Sequence, residues 1–197
     1  MENKMKKQTK QKEKTFNLII TGYGGQGIIT IAEIIAKAAM IEGHEAKEDE
    51  LHGLAQRGGS LDCHVRFGKK VYSPLVERGE ADLIISLEAL EALRACYWAN
   101  KNTAFIINSK TFNSPLNLDQ IMAKVKQFTS KIYTVDADTI VEKMTGDITM
   151  VNTFILGYAM KHGLLPLKKE NVWKAIAERI RPQFLEINKK VFEAAFK

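Results

Sequence analysis

Short apolar runs alternate with helical stretches over the first two thirds of the chain, and helical stretches alone fill the rest. Residues 16–21 (FNLIIT) are a continuous, β-branched apolar run that stops at Gly22, the pattern of a strand buried on both faces. From Gly27 to about Glu42, Ile28, Ile31, Ala32, Ile35, Ala38 and Ala39 recur at helical spacing. Glu33 and Lys37 pair one turn apart on the polar side, and Gly43 supplies the stop. Residues 44–48 predict a second strand, and 61–67 with 71–73 predict a hairpin across Gly68, Lys69 and Lys70, which makes the sheet mixed. Residues 81–86, 103–107 and 131–135 are further short strands, separated by helical patterns at 87–98 and 118–127. After Val135 the pattern predicts helices at about 139–143, at 149–161 ended by Gly163 and Pro166, at 168–179, and at 182–196 with Pro182 in a first turn. There is no internal repeat.

The chain has 197 residues, 45% of them hydrophobic and 26% charged, which is the balance of a globular domain able to fold without disulfides or a structural metal. One domain over residues 15–197 is expected, helical from about 139. The formal charge of +6 points to nucleic acid until it is located. Residues 1–14 hold six Lys (Lys4, Lys6, Lys7, Lys10, Lys12, Lys14) and two Glu (Glu2, Glu13), so this tail carries +4 and leaves +2 for the body. A tail so poor in apolar residues reads as disordered and solvated. It remains able to touch an acidic partner, but a nearly balanced body is not built to track phosphate backbones. Cys63 and Cys96 are too few for a disulfide framework and form no C-x-x-C pair, which fits a reducing cytoplasm. Neither a secretory signal nor an apolar run of about 18 residues is found, so a cytoplasmic chain without a membrane span is expected.

Gly22-Tyr23-Gly24-Gly25-Gln26-Gly27 satisfies G-x-G-x-x-G between a predicted strand and a predicted helix. Glycines there let the backbone turn tightly and approach an anion, while free N–H groups and the positive helix end favour negative charge. The same glycines would equally permit a tight strand-to-helix packing contact. Together the patterns predict an α/β, three-layer, Rossmann-like domain with a mostly parallel sheet, carrying its ligands beyond the carboxyl ends of the strands where strand order reverses. An acidic residue that would specify a ribose is expected about 20 residues on, where Glu48, Asp49 and Glu50 follow the second strand.

A second loop, residues 51–60 (LHGLAQRGGS), joins the second strand to the hairpin. Within it Gln56, Arg57, Gly58 and Gly59 set a guanidinium fork beside accessible backbone N–H groups, a combination suited to a carboxylate or phosphate. If the first two strands are adjacent and parallel, both glycine loops emerge at one sheet edge and frame one anion pocket. Ser86, Asn108 and Asp136 end other strands at that edge, with helix capping as their first role and ligand contact as a second. His52 titrates near neutrality, but no sequence neighbour orients it for proton transfer, and His44, His64 and His162 suggest less. Cys63 and Cys96 sit among apolar neighbours as small core residues. Glu88 and Glu91 fall within reach of Arg94 on a helix, the pattern of a modest surface ion pair.

Beyond these loops, the runs ELHGLAQRGGSLDCHVRFG (50–68) and SPLVERGEADLIISLEALEALR (73–94), with Asn152 and Gly157 in VNTFILG, make the chain from about residue 16 to its end similar to the gamma-type component of the 2-oxoacid:ferredoxin oxidoreductases. Within that family it resembles most the beta subunits of the indolepyruvate branch. Leu54 stands where methionine is commoner, a volume-conserving change. The resemblance implies a cytoplasmic, heteromeric complex that oxidatively decarboxylates a 2-oxoacid, here indolepyruvate or a related aryl pyruvate. The acyl group would pass to coenzyme A and the electrons to ferredoxin. It further implies a large alpha-type partner carrying thiamine diphosphate and iron–sulfur clusters. The chain's own sequence has no cysteine-rich cluster motif and no recognisable thiamine diphosphate motif, so no catalytic or metal-ligating residue is assigned to it and the isolated chain is expected to be inactive. Its expected contribution is to bind an anionic portion of coenzyme A, or to close the partner's thiamine site. The residues are Gly22, Gly24, Gly25, Gln26, Gly27, Gln56, Arg57, Gly58 and Gly59, with Glu50, His52, Ser86, Asn108 and Asp136 as further contributors. Two other classes compete: a free-standing NAD(P)- or FAD-binding oxidoreductase, favoured by the glycine motif and the acidic cluster, and a nucleic-acid-associated protein working through its tail.

Overall fold

The computed structural model describes residues 14–52, 59–112 and 114–197. Six strands, β1 (Phe16–Tyr23), β2 (Glu45–His52), β3 (Ser60–Gly68), β4 (Leu83–Ser86), β5 (Ala104–Asn108) and β6 (Ile132–Val135), form one sheet in the order β2-β3-β1-β4-β5-β6. The pairs β1/β4, β4/β5 and β5/β6 are parallel; β1/β3 and β2/β3 are antiparallel. The helices are α1 (Ile28–Ile41), α2 (Ala89–Ala95), α3 (Leu118–Val125), α4 (Ala137–Thr145), α5 (Val151–Lys161), α6 (Lys169–Arg179) and α7 (Leu185–Ala194). This is the expected α/β domain with a mixed, mostly parallel sheet.

Alternation along the strands builds two cores. On one face Leu18, Ile20, Cys63, Val65, Phe67, Ile85 and Ile106 pack against α1 and the C-terminal helices. On the other, Ile19, Ile84, Phe105 and Ile107 meet α2 and α3 through Ala89, Ala92, Ile121 and Val125. The two faces are unequally covered, since the late helices all add to the first. Helix α5 lies against α7 so closely that a Cβ on Gly157 would come within 2.5 Å of the Phe192 carbonyl and 2.8 Å of the Ala195 methyl. The buried Thr153 hydroxyl donates to Asn188 Oδ1 at 2.9 Å across the same contact.

The expected hairpin has a different partner. Residues 71–73 form no strand; β3 pairs instead with β2, from Glu45 opposite Gly68 to His52 opposite Leu61. Strand β2 (EAKEDELH) is the edge of the sheet and polar along its length, as exposed edges tend to be, so it lacks the apolar pattern that marks a strand in sequence. Val71 is buried, but its N–H donates to the Glu45 carboxylate at 2.9 Å and not to a ladder. The stretch after β3 is instead a strap held by side chains of that strand. Arg66 Nε donates to Asn17 Oδ1 at 2.8 Å and its Nη1 to the carbonyls of Ser73 (2.9 Å) and Leu75 (3.2 Å), while His64 Nδ1 accepts from the Val76 N–H at 2.9 Å. At the start of the fold Lys14, assigned by composition to the tail, pairs with Asp82; the rest of the basic tail lies outside the described residues.

Candidate functional site

Strand β1 runs straight into the glycine loop, and the loop is tied down by one side chain. Gln26 folds back so that its Oε1 accepts from the Tyr23 N–H at 2.7 Å, while its Nε2 donates to the Leu87 carbonyl at 3.4 Å. The Leu87 N–H in turn donates to the Thr21 carbonyl at 2.9 Å, joining the ends of β1 and β4. These strands flank the point where the chain, having filled one side of the sheet with β2 and β3, turns to fill the other, the place where α/β sheets carry their ligands. Gly22 is required by packing: a Cβ there would stand 2.5 Å from Gln26 Oε1, 3.1 Å from Ile28 Cδ1 and 3.3 Å from Leu87 Cβ. Gly22→Ala should therefore cost about 1–3 kcal/mol by displacing the Gln26 brace. A thermal melt no lower than that of the parent chain would show that the loop yields freely.

The two remaining special glycines serve the opening. Gly27 caps α1 in the left-handed region at φ 79°, and Gly25 has φ 100° with no atom of the described residues within 4 Å of where a Cβ would be. Asn152, in the first turn of α5, brings its amide nitrogen to 2.9 Å from the corresponding point on Gly27. The N-termini of α1 and α5 thus converge. Neither carries a capping side chain or an acidic residue in its first turn, whereas α2, α3, α4, α6 and α7 each carry one there: Glu91, Asp119, Asp138, Glu170 and Glu186. Each helix end is equivalent to about half a positive charge and has no acidic side chain against it; at α5 the Val151 N–H donates to the Ile148 carbonyl at 3.2 Å and the Thr153 N–H to Asn152 Oδ1 at 2.8 Å, so the donors that suit an anion come chiefly from α1.

The second glycine loop reaches the same edge by a route other than the expected one. Strands β1 and β2 are not adjacent; β3 lies between them. Because both are antiparallel to β3 they still run the same way, and the Gly24 N–H donates to the Gly59 carbonyl at 3.0 Å, joining the loops directly. Gln56, Arg57 and Gly58 lie outside the described residues. His52 is the last residue of β2, and Glu50 is exposed on the same strand. The acidic trio therefore sits within β2, one strand away from the glycine loop, and not after a neighbouring parallel strand as ribose recognition requires. Burial, and then the charges of Glu33 and Glu50, push the Glu48 carboxyl up. This order of strands removes the acidic cluster as support for the free-standing nicotinamide or flavin reading.

Ser86 and Asn108 end strands at this edge, Asp136 directly follows β6, and all three are engaged in the turns into helices. Ser86 Oγ donates to the Glu88 carbonyl. Asn108 Oδ1 accepts from the Ala137 N–H at 3.1 Å and its Nδ2 donates to the Leu87 carbonyl at 3.2 Å and to Asp138. Asp136 accepts from the Thr139 N–H at 3.1 Å as the cap of α4.

Glu88 and Glu91 depart furthest from the surface pair that their spacing predicts. Both are buried, Glu91 completely. Glu91 Oε2 accepts from the Ser60 hydroxyl, and its Oε1 faces Arg94 Nη1 at 3.1 Å in an ion pair without hydrogen-bond alignment. Glu88 caps α2, accepting from the Glu91 N–H at 3.0 Å with one oxygen and from the Phe112 N–H at 3.0 Å with the other. Burial, followed by the charges of Glu91 and Glu88, raises the pKa of the Tyr23 phenol. Asp62, half-buried on β3, also has its carboxyl pushed up, chiefly by burial, with the neighbouring Thr21 hydroxyl working the other way. Glu is not among the residues favoured at an N-cap, so only Glu91, three residues on, matched part of a capping signal.

Cys63 and Cys96 are buried in opposite cores, their thiols pushed up to about 12 and about 11 by burial, so neither offers a thiolate at neutral pH. Among the described residues no group of three His, Cys, Asp or Glu is arranged to hold a metal ion, and no helix is long and apolar enough to cross a membrane.

Fold and edge define an α/β subunit-sized domain that presents paired positive helix ends beside two joined glycine loops. The chain belongs to the pyruvate ferredoxin/flavodoxin oxidoreductase family, whose pattern it matches over residues 17–197. Its relatives include the indolepyruvate oxidoreductase subunit IorB of Archaeoglobus fulgidus, 35% identical over 91% of this chain and 93% of that one. The subunit of the same name from Thermococcus kodakarensis is 32% identical over 93% and 96%. Among solved structures, the pyruvate oxidoreductase subunit PORC of Thermotoga maritima superposes with a TM-score of 0.73 at 20% identity, over 93% of this chain and 96% of that one. The resemblance to gamma-type subunits of 2-oxoacid:ferredoxin oxidoreductases is thereby borne out.

Proposed function

We propose that this chain binds the anionic part of coenzyme A within a complex that oxidatively decarboxylates a 2-oxoacid. The observation that carries this reading is the pair of uncapped, acid-free helix N-termini meeting at Gly27, beside the Gly24–Gly59 hydrogen bond that joins the two glycine loops. A phosphate or pyrophosphate group would gain the first-turn N–H donors of α1 and the positive end of the α5 dipole, and Arg57, two residues before Gly59 in sequence, would add a bidentate donor. Holding a reactant in place is a sufficient role for a chain that offers no thiolate and no assigned catalytic group, because orientation alone lowers the barrier of a two-substrate step.

The substrate is indolepyruvate or a related aryl pyruvate, a reading supported by the names of the two IorB relatives described above. The thiamine diphosphate and iron–sulfur clusters reside in a large alpha-type partner, which passes electrons to ferredoxin. The complex works in the cytoplasm of an organism with anaerobic metabolism, and the isolated chain has no turnover. Nucleic-acid binding has no part in this reading.

Arg57→Ala tests the site. In the complex assembled with its partner chain, the variant should raise the KM for coenzyme A about tenfold, the loss of one charge-assisted contact, or prevent assembly. A complex that forms normally with an unchanged KM overturns the reading.

A further inference from the structure

The geometry points to Glu91 as a positioning residue for this edge, one that fixes how the two glycine loops meet; the inference rests on the coenzyme A reading above. A fully buried carboxylate is an expensive way to fill space, since an apolar side chain of similar volume would pack there without losing hydration. What Glu91 gains in return is a hydrogen bond at the point where the loops join. Its Oε2 takes the hydroxyl of Ser60, the first residue of β3 and the immediate neighbour of Gly59, whose carbonyl accepts from Gly24. Ser60 also stands opposite Tyr23 in the β1/β3 ladder, and Tyr23 is the residue whose N–H is braced by Gln26.

Glu91 is itself held from two sides. Its N–H is bound by Glu88, whose other oxygen holds the Phe112 N–H in the β5–α3 connection, and the Phe112 ring lies edge-on to Tyr23 at 6.1 Å. Arg94, more than half exposed, supplies the compensating charge at 3.1 Å. One turn of α2 thus connects the glycine loop, the start of β3 and the loop after β5. A rotation of the Glu91 side chain would release Ser60 and with it the register of Gly59 on Gly24. The residue touches no reactant in this arrangement; it acts through Ser60.

The test compares KM values in the assembled complex. Glu91→Ala should raise the KM for coenzyme A about tenfold more than the KM for the 2-oxoacid. Glu91→Gln, which keeps an acceptor for the Ser60 hydroxyl, should hold the coenzyme A value within about threefold of the parent. Ser60→Ala removes the same bond without opening a large cavity, so it carries the test if Glu91→Ala does not fold; it should reproduce the selective rise, and the double variant should add nothing to it. A parallel rise in both KM values, a loss confined to kcat, or a silent Ser60→Ala overturns the role of Glu91. If Arg57→Ala raises the KM for coenzyme A while Glu91→Ala and Ser60→Ala leave it alone, the positioning role alone fails. If Arg57→Ala leaves the KM unchanged in a normally formed complex, the coenzyme A reading fails with it.

Discussion

Gly157→Leu is expected to lower the stability of the chain by about 3–5 kcal/mol, a large share of the roughly 5–15 kcal/mol that holds a typical domain folded. Inside α5, a glycine is locally unfavourable: replacing it by alanine in an open helix would gain about 1 kcal/mol from backbone entropy. At this position that gain is overwhelmed, because the new Cβ would lie 2.5 Å from a backbone carbonyl of α7 and 2.8 Å from the Ala195 methyl. A helix backbone cannot move out of the way as a side-chain tip can, so α5 must separate from α7 along its whole contact, taking the buried Thr153–Asn188 hydrogen bond with it. Thermal melts should therefore drop by about 10 °C for Leu, with Ala falling between it and the parent. The effect reaches the site as well, since the first turn of α5 sets Asn152 against Gly27. A Gly157→Leu chain that melts with the parent would mean the helix pair is looser than its geometry, and that the orientation of α5 is set by something else.

Gly157 also marks the boundary between what sequence patterns reveal and what they leave hidden. Runs buried on both faces, such as 16–21 and 81–86, were readable because burial leaves an apolar signature, and G-x-G-x-x-G was readable because the strand and helix around it were. Strand β2 was readable only in part. Its residues are mostly polar and only Ala46 packs against the core among those described, so nothing in EAKEDELH distinguishes a hydrogen-bonded edge from a polar loop. The apolar Val71 and Tyr72 then attracted the pairing that β2 takes. The placement of β3 between β1 and β2 is a long-range fact with no local trace, and it displaces the acidic trio from the glycine loop. Charge misled for a related reason: Glu88 and Glu91 look like the solvent side of a helix, but α2 is short and wedged under three loops, so its carboxylates point into the molecule. The i,i+3 pairing of Glu91 with Arg94 was legible; its burial was not. The run HVRFG followed by SPL, among the features that make the sequence recognisable, serves architecture in the described residues. His64 and Arg66 strap the following segment across the face of β3 opposite α1.

That strap is expected to make the fold acid-sensitive. His64 is almost fully buried, its ring edge-on to Trp98 at 5.1 Å, and its Nδ1 accepts from the Val76 N–H, so the proton of the neutral ring is on Nε2. Burial lowers its pKa from 6.5 to about 4; the Asp49 charge opposes that shift and the Arg66 charge adds to it. An unfolded chain takes up this proton near pH 6.5, whereas the folded chain refuses it until about pH 4, so between those values the unfolded state holds more protons. The stabilisation is complete above pH 6.5 and is lost as the pH falls toward 4, by about 3 kcal/mol over the full window. Asp62 and Glu48, whose carboxyls are pushed up by burial, work in the opposite direction and offset part of the loss. Urea unfolding of the purified chain at pH 7.5 and at pH 4.5 should show the loss directly. In His64→Asn, which retains an acceptor for Val76 but no titrating ring, the difference between the two pH values should shrink by about 2 kcal/mol, whatever the variant costs at neutral pH. A parent and variant with the same pH dependence would place the acid sensitivity elsewhere and leave the buried His64 ring with no part in it.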